Sequence, residues 1–432
     1  KSKVVVDAVA TETAMDKIIA SVDTTGKCPS LNSDGTVNVT KAEATDGYIC
    51  SATDAYGTSY YYRGNVTNNY VKFADKYWRI IRINGDGTVR VIYDGTSAHT
   101  NGESSTDRQI GTSAFNYYWK KDNVQETTNS SVYADNAGVG YMYGNRDAIV
   151  EPTEYSSSTS FTNTNTYYIA KEYNYDATTD RFTLKDPIAV LGSAMTADYV
   201  GYYTFGSTSA TSSNSYVYKI FGVTAGSSSA SVKYGYVRYG TSSKEVAQTN
   251  TNDSTIKAYL DNWYKTNILG TENEQYLADN IFCNDRSIAS SNSGTGAGTS
   301  YTIYNWYNWH PSKSNLKCPQ QNDAFTVSDT TNGNGALTYP IGLITTDEAI
   351  LAGGWSASNN GYYLYSGSWY WASSPYYFIG DNARVMSVYD NGGAYFAFGV
   401  SYTGGVRPVF NLKAEVLSQG SGTATDPYRI SS

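Results

Sequence analysis

Apolar and polar positions along this chain follow two periods in turn. Over Val4 to Val22, the residues Val5, Ala8, Val9, Met15, Ile18, Ile19 and Val22 recur at mostly helical spacing with Asp7, Glu12 and Asp16 between them, which predicts one amphipathic helix. Ahead of a β-rich body, such a helix reads as a stalk, as the tail of a removed membrane anchor, or as a segment packed on the body. From Gly47 the period shortens to that of strands: Tyr60-Tyr61-Tyr62, Tyr70 to Phe73, Tyr77 to Ile83 and Thr88 to Tyr93. The last two runs flank Asn84-Gly85-Asp86-Gly87, whose residues tolerate positive φ, so a hairpin is expected there, ended by Asp94-Gly95.

Residues 96 to 250 are low in charge and rich in Ser, Thr, Asn and Tyr, as in Ser156 to Thr166 and Gly206 to Tyr216. Strand-like runs from Tyr216 to Phe221 and from Val232 to Val237 interrupt them, so the stretch reads as a large β-rich insertion with long loops rather than as disorder. A helix capped by Asp253 or Ser254 follows, with Ile256, Leu260 and Trp263 on one face and Lys257 and Asp261 on another. A shorter helix is expected over Glu272 to Ile281, a Gly/Ser loop over Ser291 to Ser300, and a helical turn over Thr346 to Ala352 that stops at Gly353-Gly354.

Length and composition narrow the class. At 432 residues the chain has room for two compact units, or for one core with large insertions. It holds 43 Tyr against 12 Phe and 8 Trp, and tyrosine, apolar in body and polar at its tip, suits half-exposed strands and contact surfaces. The 31 basic and 39 acidic residues give a net charge of -8 with no Lys/Arg cluster, which argues against nucleic acid as a partner. No stretch reaches the roughly 18 consecutive apolar residues of a membrane span, so a membrane would be met only through an anchor missing from the N-terminus. The chain opens at Lys1 without an initiator Met, as a processed or trimmed form would.

Four cysteines fall as two local pairs, Cys28 with Cys50 and Cys283 with Cys318. Four cysteines allow three connectivities, of which local pairing is the simplest, and each closed loop would contribute roughly 3 to 4 kcal/mol on the chain-entropy model. Disulfides imply an oxidising compartment, hence an extracellular, cell-surface location; four free thiols in a cytosolic protein is the plain alternative. Neither pair has zinc-ligand spacing, and His99 and His310 read as loop residues, so no metal and no cofactor is expected.

The hairpin Trp78 to Tyr93, the helix Ile256 to Ile268, the segment Ile341-Gly342-Leu343-Ile344-Thr345-Thr346-Asp347-Glu348, the strand Trp369-Tyr370-Trp371-Ala372-Ser373-Ser374-Pro375 and the ending Gly405-Val406-Arg407-Pro408-Val409-Phe410-Asn411-Leu412-Lys413 stand in a telling order. Together they resemble the C-type lectin fold in its bacterial form, shared with formylglycine-generating enzymes and with the variable proteins of diversity-generating retroelements. The resemblance covers residues 45 to 95 and 250 to 430. It implies an α+β fold: a helix or stalk over 1–26, the first strands of a lectin-like core over 27–95, the β-rich insertion over 96–250, and the rest of the core over 251–432, with a variable binding region at about 376–404.

In such variable proteins adenines of the coding template are randomised, mostly at Asn codons, which never yields Lys, Glu, Gln, Met or Trp. The window Tyr376 to Gly404 contains no Lys, Glu, Gln or Trp and a single Met, Met386, which must then be a fixed position. Average usage would place about four or five of the first four types in a stretch this long. Tyr contributes large, fairly rigid contact area and Ser, Gly and Asn adaptable hydrogen bonding, as in antibody paratopes. The candidate ligand-binding residues are therefore Tyr376, Tyr377, Phe378, Ile379, Asp381, Arg384, Ser387, Tyr389, Asp390, Asn391, Tyr395, Phe396, Phe398, Ser401, Tyr402 and Thr403. Asp390-Asn391-Gly392-Gly393 reads as a tight turn between two strands. Strand alternation sends part of the stretch inward, including some of these rings and Val385, Val388 and Val400.

Other chemistry is missing from the sequence. No Cys follows Cys318, which deprives a formylglycine-generating enzyme of its nucleophile, and Glu151-Pro152-Thr153, the nearest approach to a Ca²⁺-lectin motif, reads as a loop turn. Asn38-Val39-Thr40 and Asn65-Val66-Thr67 match the glycosylation acceptor pattern by coincidence in a chain this rich in Asn and Thr. With no nucleophile elbow or phosphate loop the chain is not expected to be an enzyme; a glycan-processing activity would need a carboxylate pair lining a cleft. The expected function is that of a surface-displayed adhesin or receptor whose partner is a protein or glycan on another cell or a phage. The alternative is a structural subunit of a surface filament such as a pilin, whose partners are its neighbouring subunits. On the first reading, replacing Tyr389, Tyr395 and Tyr402 by Ser would abolish binding and leave the melting temperature nearly unchanged.

Overall fold

The predicted hairpin is the seed of the architecture. In a computed structural model that describes residues 12–117, 135–153, 157–204, 217–290, 294–308, 311–380 and 382–431, strands Lys76–Ile83 and Val89–Gly95 pair antiparallel. Asn84 and Thr88 close the turn, and Gly87 takes the φ of +83° that makes glycine the natural residue there. Strands Gly47–Thr53, Thr58–Gly64 and Tyr70–Phe73 extend this sheet on one side. On the other side it is completed by Val409–Leu412 from the far end of the chain, with Val409 opposite Ile92 and Leu412 opposite Val89.

A second sheet runs in the order Phe396–Gly399, Asn382–Val388, Tyr370–Ile379, Thr403–Val406 and Gly111–Ala114, with Thr302–Ile303 also pairing onto Tyr370–Ile379. The 370–379 and 403–406 strands are parallel and the other pairs antiparallel. One continuous apolar core joins both sheets to the helix Thr255–Asn267, whose Ile256, Leu260 and Tyr264 are buried. Ser254 caps this helix, its side chain accepting from the Lys257 N–H. Trp78, Phe410, Tyr93 and Trp263 meet at centroid distances of 4.9 to 6.2 Å, each burying a large apolar area.

Charge is also buried, always in company. Asp94, fully enclosed, faces Arg108 at 2.7 Å, Arg407 at 3.0 Å and Arg79 at 3.8 Å. Arg407 thus gives the Gly-Val-Arg-Pro-Val ending its structural meaning: it ties the last strands to the first sheet. Glu348 accepts from Arg82 and Arg90 and closes a capping box with Thr345 on the helix Thr346–Leu351, the expected third turn. Burial works against the charge of Glu348, but Arg90 and Arg82 hold its carboxyl below the usual carboxylate range. Removing one member of such a buried set costs about 3–5 kcal/mol, because the others stay behind uncompensated. Both disulfides, Cys28–Cys50 and Cys283–Cys318, are closed.

Four expectations are corrected. Among the described residues the helix is Ala14–Ala20, because Thr13 is extended and forms a capping box with Asp16 that starts the helix there; residues 1–11, with Val5, Ala8 and Val9, lie outside the described residues. Its Ile18 belongs to the main core, so the described part packs on the body. The helix Thr255–Asn267 does not divide into an apolar face of Ile256, Leu260 and Trp263 and a separate polar one: Lys257 and Asp261 are buried too and pair at 2.7 Å, while Trp263 is half-buried. Helix over Glu272 to Ile281 shrinks to the 3₁₀ turn Glu272–Tyr276, because the backbone beyond it pairs with the last strand, Ala278 N–H donating to the Asn411 carbonyl.

The fourth concerns the insertion, which is narrower than 96–250. Residues 111–114 belong to the second sheet, and Phe115, Val139, Tyr141 and Met142 to the main core. The chain leaves the body at Ala148–Val150 and returns at Arg238–Gly240, which pair as a stem. Between them an antiparallel sheet in the order Ser157–Thr162, Ser229–Tyr236, Val217–Thr224, Tyr202–Thr204, Thr166–Ala170 and Ile188–Leu191 builds its own Tyr-rich core. The hairpin Glu172–Asp176 with Arg181–Lys185 contributes to a further small core beside it. Glu151 is no mere turn residue: it accepts from Tyr173, Tyr202 and Lys219 at 2.6 to 2.9 Å and pins that hairpin to the sheet. His99 does lie in a loop, as expected, yet it is buried between the carboxylates of Glu103 and Asp107, while His310 and Gly206 to Tyr216 lie outside the described residues.

Candidate binding face

Four strands carry the tract from Tyr376 to Gly404, the last of them, Thr403–Val406, with its first two residues. Tyr370–Ile379 pairs with Asn382–Val388 in the register Tyr377 to Arg384 and Ile379 to Asn382, and the latter strand pairs with Phe396–Gly399, Val385 opposite Phe398 and Ser387 opposite Phe396. Pro375 cannot donate to a ladder, and the register shifts on both sides of it. The expected turn is present: Tyr389 and Gly393 close it, and Gly392 has φ +82°. It is not a free tip, since the Asn391 carbonyl accepts from Asn359 N–H and Ala394 N–H donates to Trp355.

Alternation divides the candidate residues. Phe378 and Ser387 are withdrawn from the face: Phe378 is fully buried, and the Ser387 hydroxyl is spent on the Phe396 carbonyl at 3.0 Å. Neither can touch a ligand. Val385, Val388 and Val400 are buried as expected, and so is Met386. Tyr376, Tyr377, Ile379, Arg384, Tyr389, Asn391, Tyr395, Phe396, Phe398 and Ser401 are half-buried, while Asp390, Tyr402 and Thr403 are exposed. Asp381 lies outside the described residues.

The rings gather in two groups. In the first, Trp369 stacks on Phe398 at 4.2 Å, Phe398 follows Tyr389 at 5.9 Å, and Tyr389 stacks on Phe396 at 4.3 Å, all within 27° of parallel. Tyr402, 57% exposed, leans on Phe398. In the second, Tyr376 contacts Tyr377, Tyr307 and Tyr395, and the Tyr376 and Tyr395 hydroxyls lie 3.3 Å apart. The Arg384 guanidinium sits 5.5 Å over Tyr377. Burial, then the hydrogen bond to Tyr395, pushes the Tyr376 hydroxyl up, so it stays neutral at physiological pH. In the first group the parallel rings spend their inner faces on one another and present edges to a partner, with Tyr389 the one member of the stack that carries a hydroxyl; the second group supplies the further hydroxyls.

Two members escaped the sequence reading. Trp369 lies just before the window in the strand that carries the resemblance, and Tyr307 lies about seventy positions upstream, brought here by the pairing of Thr302–Ile303 onto Phe378 and Tyr377. The aromatic run Tyr304-Asn305-Trp306-Tyr307 inside the second disulfide ring was the available signal. Compared with family models, with curated proteins and with solved structures, the chain matches none, so the α+β architecture and the face itself stand on the residues described above.

Proposed function

We propose that this chain is a surface-displayed binding protein whose contact surface is the double aromatic group between Trp369 and Thr403, carried on a lectin-like scaffold and diversified in sequence. The observation that carries the reading is a row of half-exposed rings held on a rigid sheet, with Arg384 and Asp390 as its charged members among the described residues. Such a face binds by shape and apolar contact, with tyrosine hydroxyls supplying hydrogen bonds. Because the stacked rings offer edges rather than open faces, a protein surface is the better partner than a sugar ring, which would need a free aromatic face to lie on. Diversification is supported by one coincidence of sequence and burial: Met386, the one residue of the window that adenine randomisation cannot produce, is in the core. The two disulfides fit display in an oxidising exterior.

The test is sequence variation at the gene. Coding copies of the 376–404 segment from related isolates, and a near-copy template beside a reverse transcriptase, should differ at codons for Tyr377, Tyr389, Asn391, Phe396 and Tyr402. Ala383, Val385, Met386 and Val388 should be constant. Variation spread evenly over both groups would dismiss a diversified face.

The filament reading has one observation in its favour. The insertion's sheet ends in Ile188–Leu191, an uncharged edge strand with Ile188 55% and Leu191 51% exposed, near Val200 at 66%. Open apolar edges of this kind pair with further strands.

A further inference from the structure

A cavity of about 190 Å³ lies where the first turn of the Thr346–Leu351 helix meets the ring closed by Cys283 and Cys318. That is room for one small polar molecule. Its floor is formed by Arg82, Arg90 and Glu348, whose charges answer one another, with Asp54 2.7 Å from Arg82. The walls differ. Asp347 accepts from Asn315 N–H at 2.7 Å and from the Trp306 indole at 2.9 Å, and Asp285 from Ser287 N–H at 2.9 Å and, at a long 3.4 Å, from Asn305. All of these donors are neutral. Neither carboxylate has a Lys or Arg partner among the described residues, and Lys313 and Lys317 stand exposed at the rim. Burial raises both carboxyls, that of Asp347 to about 7, with the charge of Asp285 adding to the rise.

The floor also holds an unmet donor. Arg82, 4% exposed, gives Nε to Glu348 and Nη1 to Asp54 and Ser59, and its Nη2 meets no acceptor among the described residues. A ligand that completes this lining brings a cation to the two aspartates and a neutral oxygen to Arg82. A carboxylate in the second place would stand beside Glu348 and Asp54, which already neutralise the guanidinium, so a free amino acid fits less well than an amino sugar. An aliphatic ammonium, such as a lysine side chain, would leave Thr36, Asn305 and Asn315 facing its apolar stem.

We propose that this cavity is a second ligand site, independent of the aromatic face, that takes a hexosamine with a free amine: the ammonium between Asp285 and Asp347, a ring hydroxyl on Arg82 Nη2.

Calorimetric and NMR titration of the intact protein at pH 7 tests this with glucosamine, glucose, N-acetylglucosamine, glycine and N-acetyl-lysine amide. Saturable binding of glucosamine is expected, at least tenfold tighter than any of the others. Asp285→Asn, which keeps the oxygen facing Ser287, should weaken it at least tenfold without shifting the melting curve. Affinity should fall as pH drops below 7, because Asp347 then takes up a proton that binding must displace. Equal binding of glucose or N-acetylglucosamine, preference for glycine or the lysine amide, no binding of glucosamine to the unaltered protein, or full affinity in Asp285→Asn would each overturn the proposal.

Discussion

Tyr389 and Tyr402 stand thirteen positions apart in one aromatic group, yet they do different work. Tyr402 is 57% exposed and touches Phe398 from one side, whereas Tyr389 is half-buried between Phe396 and Phe398. Tyr402→Ser should therefore change unfolding free energy by less than about 0.5 kcal/mol, and Tyr389→Ser should cost about 1–3 kcal/mol, both read from urea denaturation. This revises the expectation that Tyr389, Tyr395 and Tyr402 can all be replaced at little cost: only the outermost ring is free of the stack. Local chemistry made some of this legible, since an Asn-Gly-Gly turn and a tyrosine-rich strand announce themselves. Which rings face inward was not, because Pro375 breaks the register and period-two alternation is lost across the break. Adjacent residues can also be driven apart by surroundings that no sequence pattern records: Asp347 and Glu348 share a helical turn, yet one carboxyl is raised and the other lowered, since only Glu348 meets arginines.

At the level of elements, the segments that could be read were those whose signals are local. The 76–95 hairpin has its Gly-rich turn, the 255–267 helix its Ser254 cap, and the 346–351 helix its Thr345–Glu348 box. The Glu272–Ile281 stretch has a helical pattern too, but the strand Val409–Leu412, more than a hundred residues later, claims its backbone. The insertion resisted reading for another reason: tyrosines supply much of its core, and a residue apolar in body and polar at its tip does not mark which face is buried. Its stem makes it separable. Val150 lies directly opposite Arg238, so a two-residue Gly-rich turn can join them. Replacing 151–237 in this way should leave the body folded with both disulfides, and calorimetry should show one cooperative transition where the full chain shows two. Failure of the shortened chain to fold would mean that the body depends on the insertion.

The whole molecule carries a net charge of -8, enough to keep copies apart unless a specific surface draws them together. The edge strand Ile188–Leu191 is where that would happen on the filament reading. Sedimentation at increasing concentration should then show assembly that Ile188→Lys abolishes, a charge on a strand edge being an effective block to pairing. A monomer at every concentration would leave binding as the better account of the chain. A different consequence follows from the first sheet, which the Val409–Leu412 strand completes against Val89–Gly95. Residues separated by most of the polypeptide's length must meet before this core can close, so the order of synthesis gives the early strands nothing stable to wait on. The body, unlike the insertion with its own core, should emerge from the ribosome uncommitted and become native only once the last segment is free. On the reading that the chain is displayed in an oxidising exterior, such a delay would postpone the slow step of folding until export is over and the two disulfides can close.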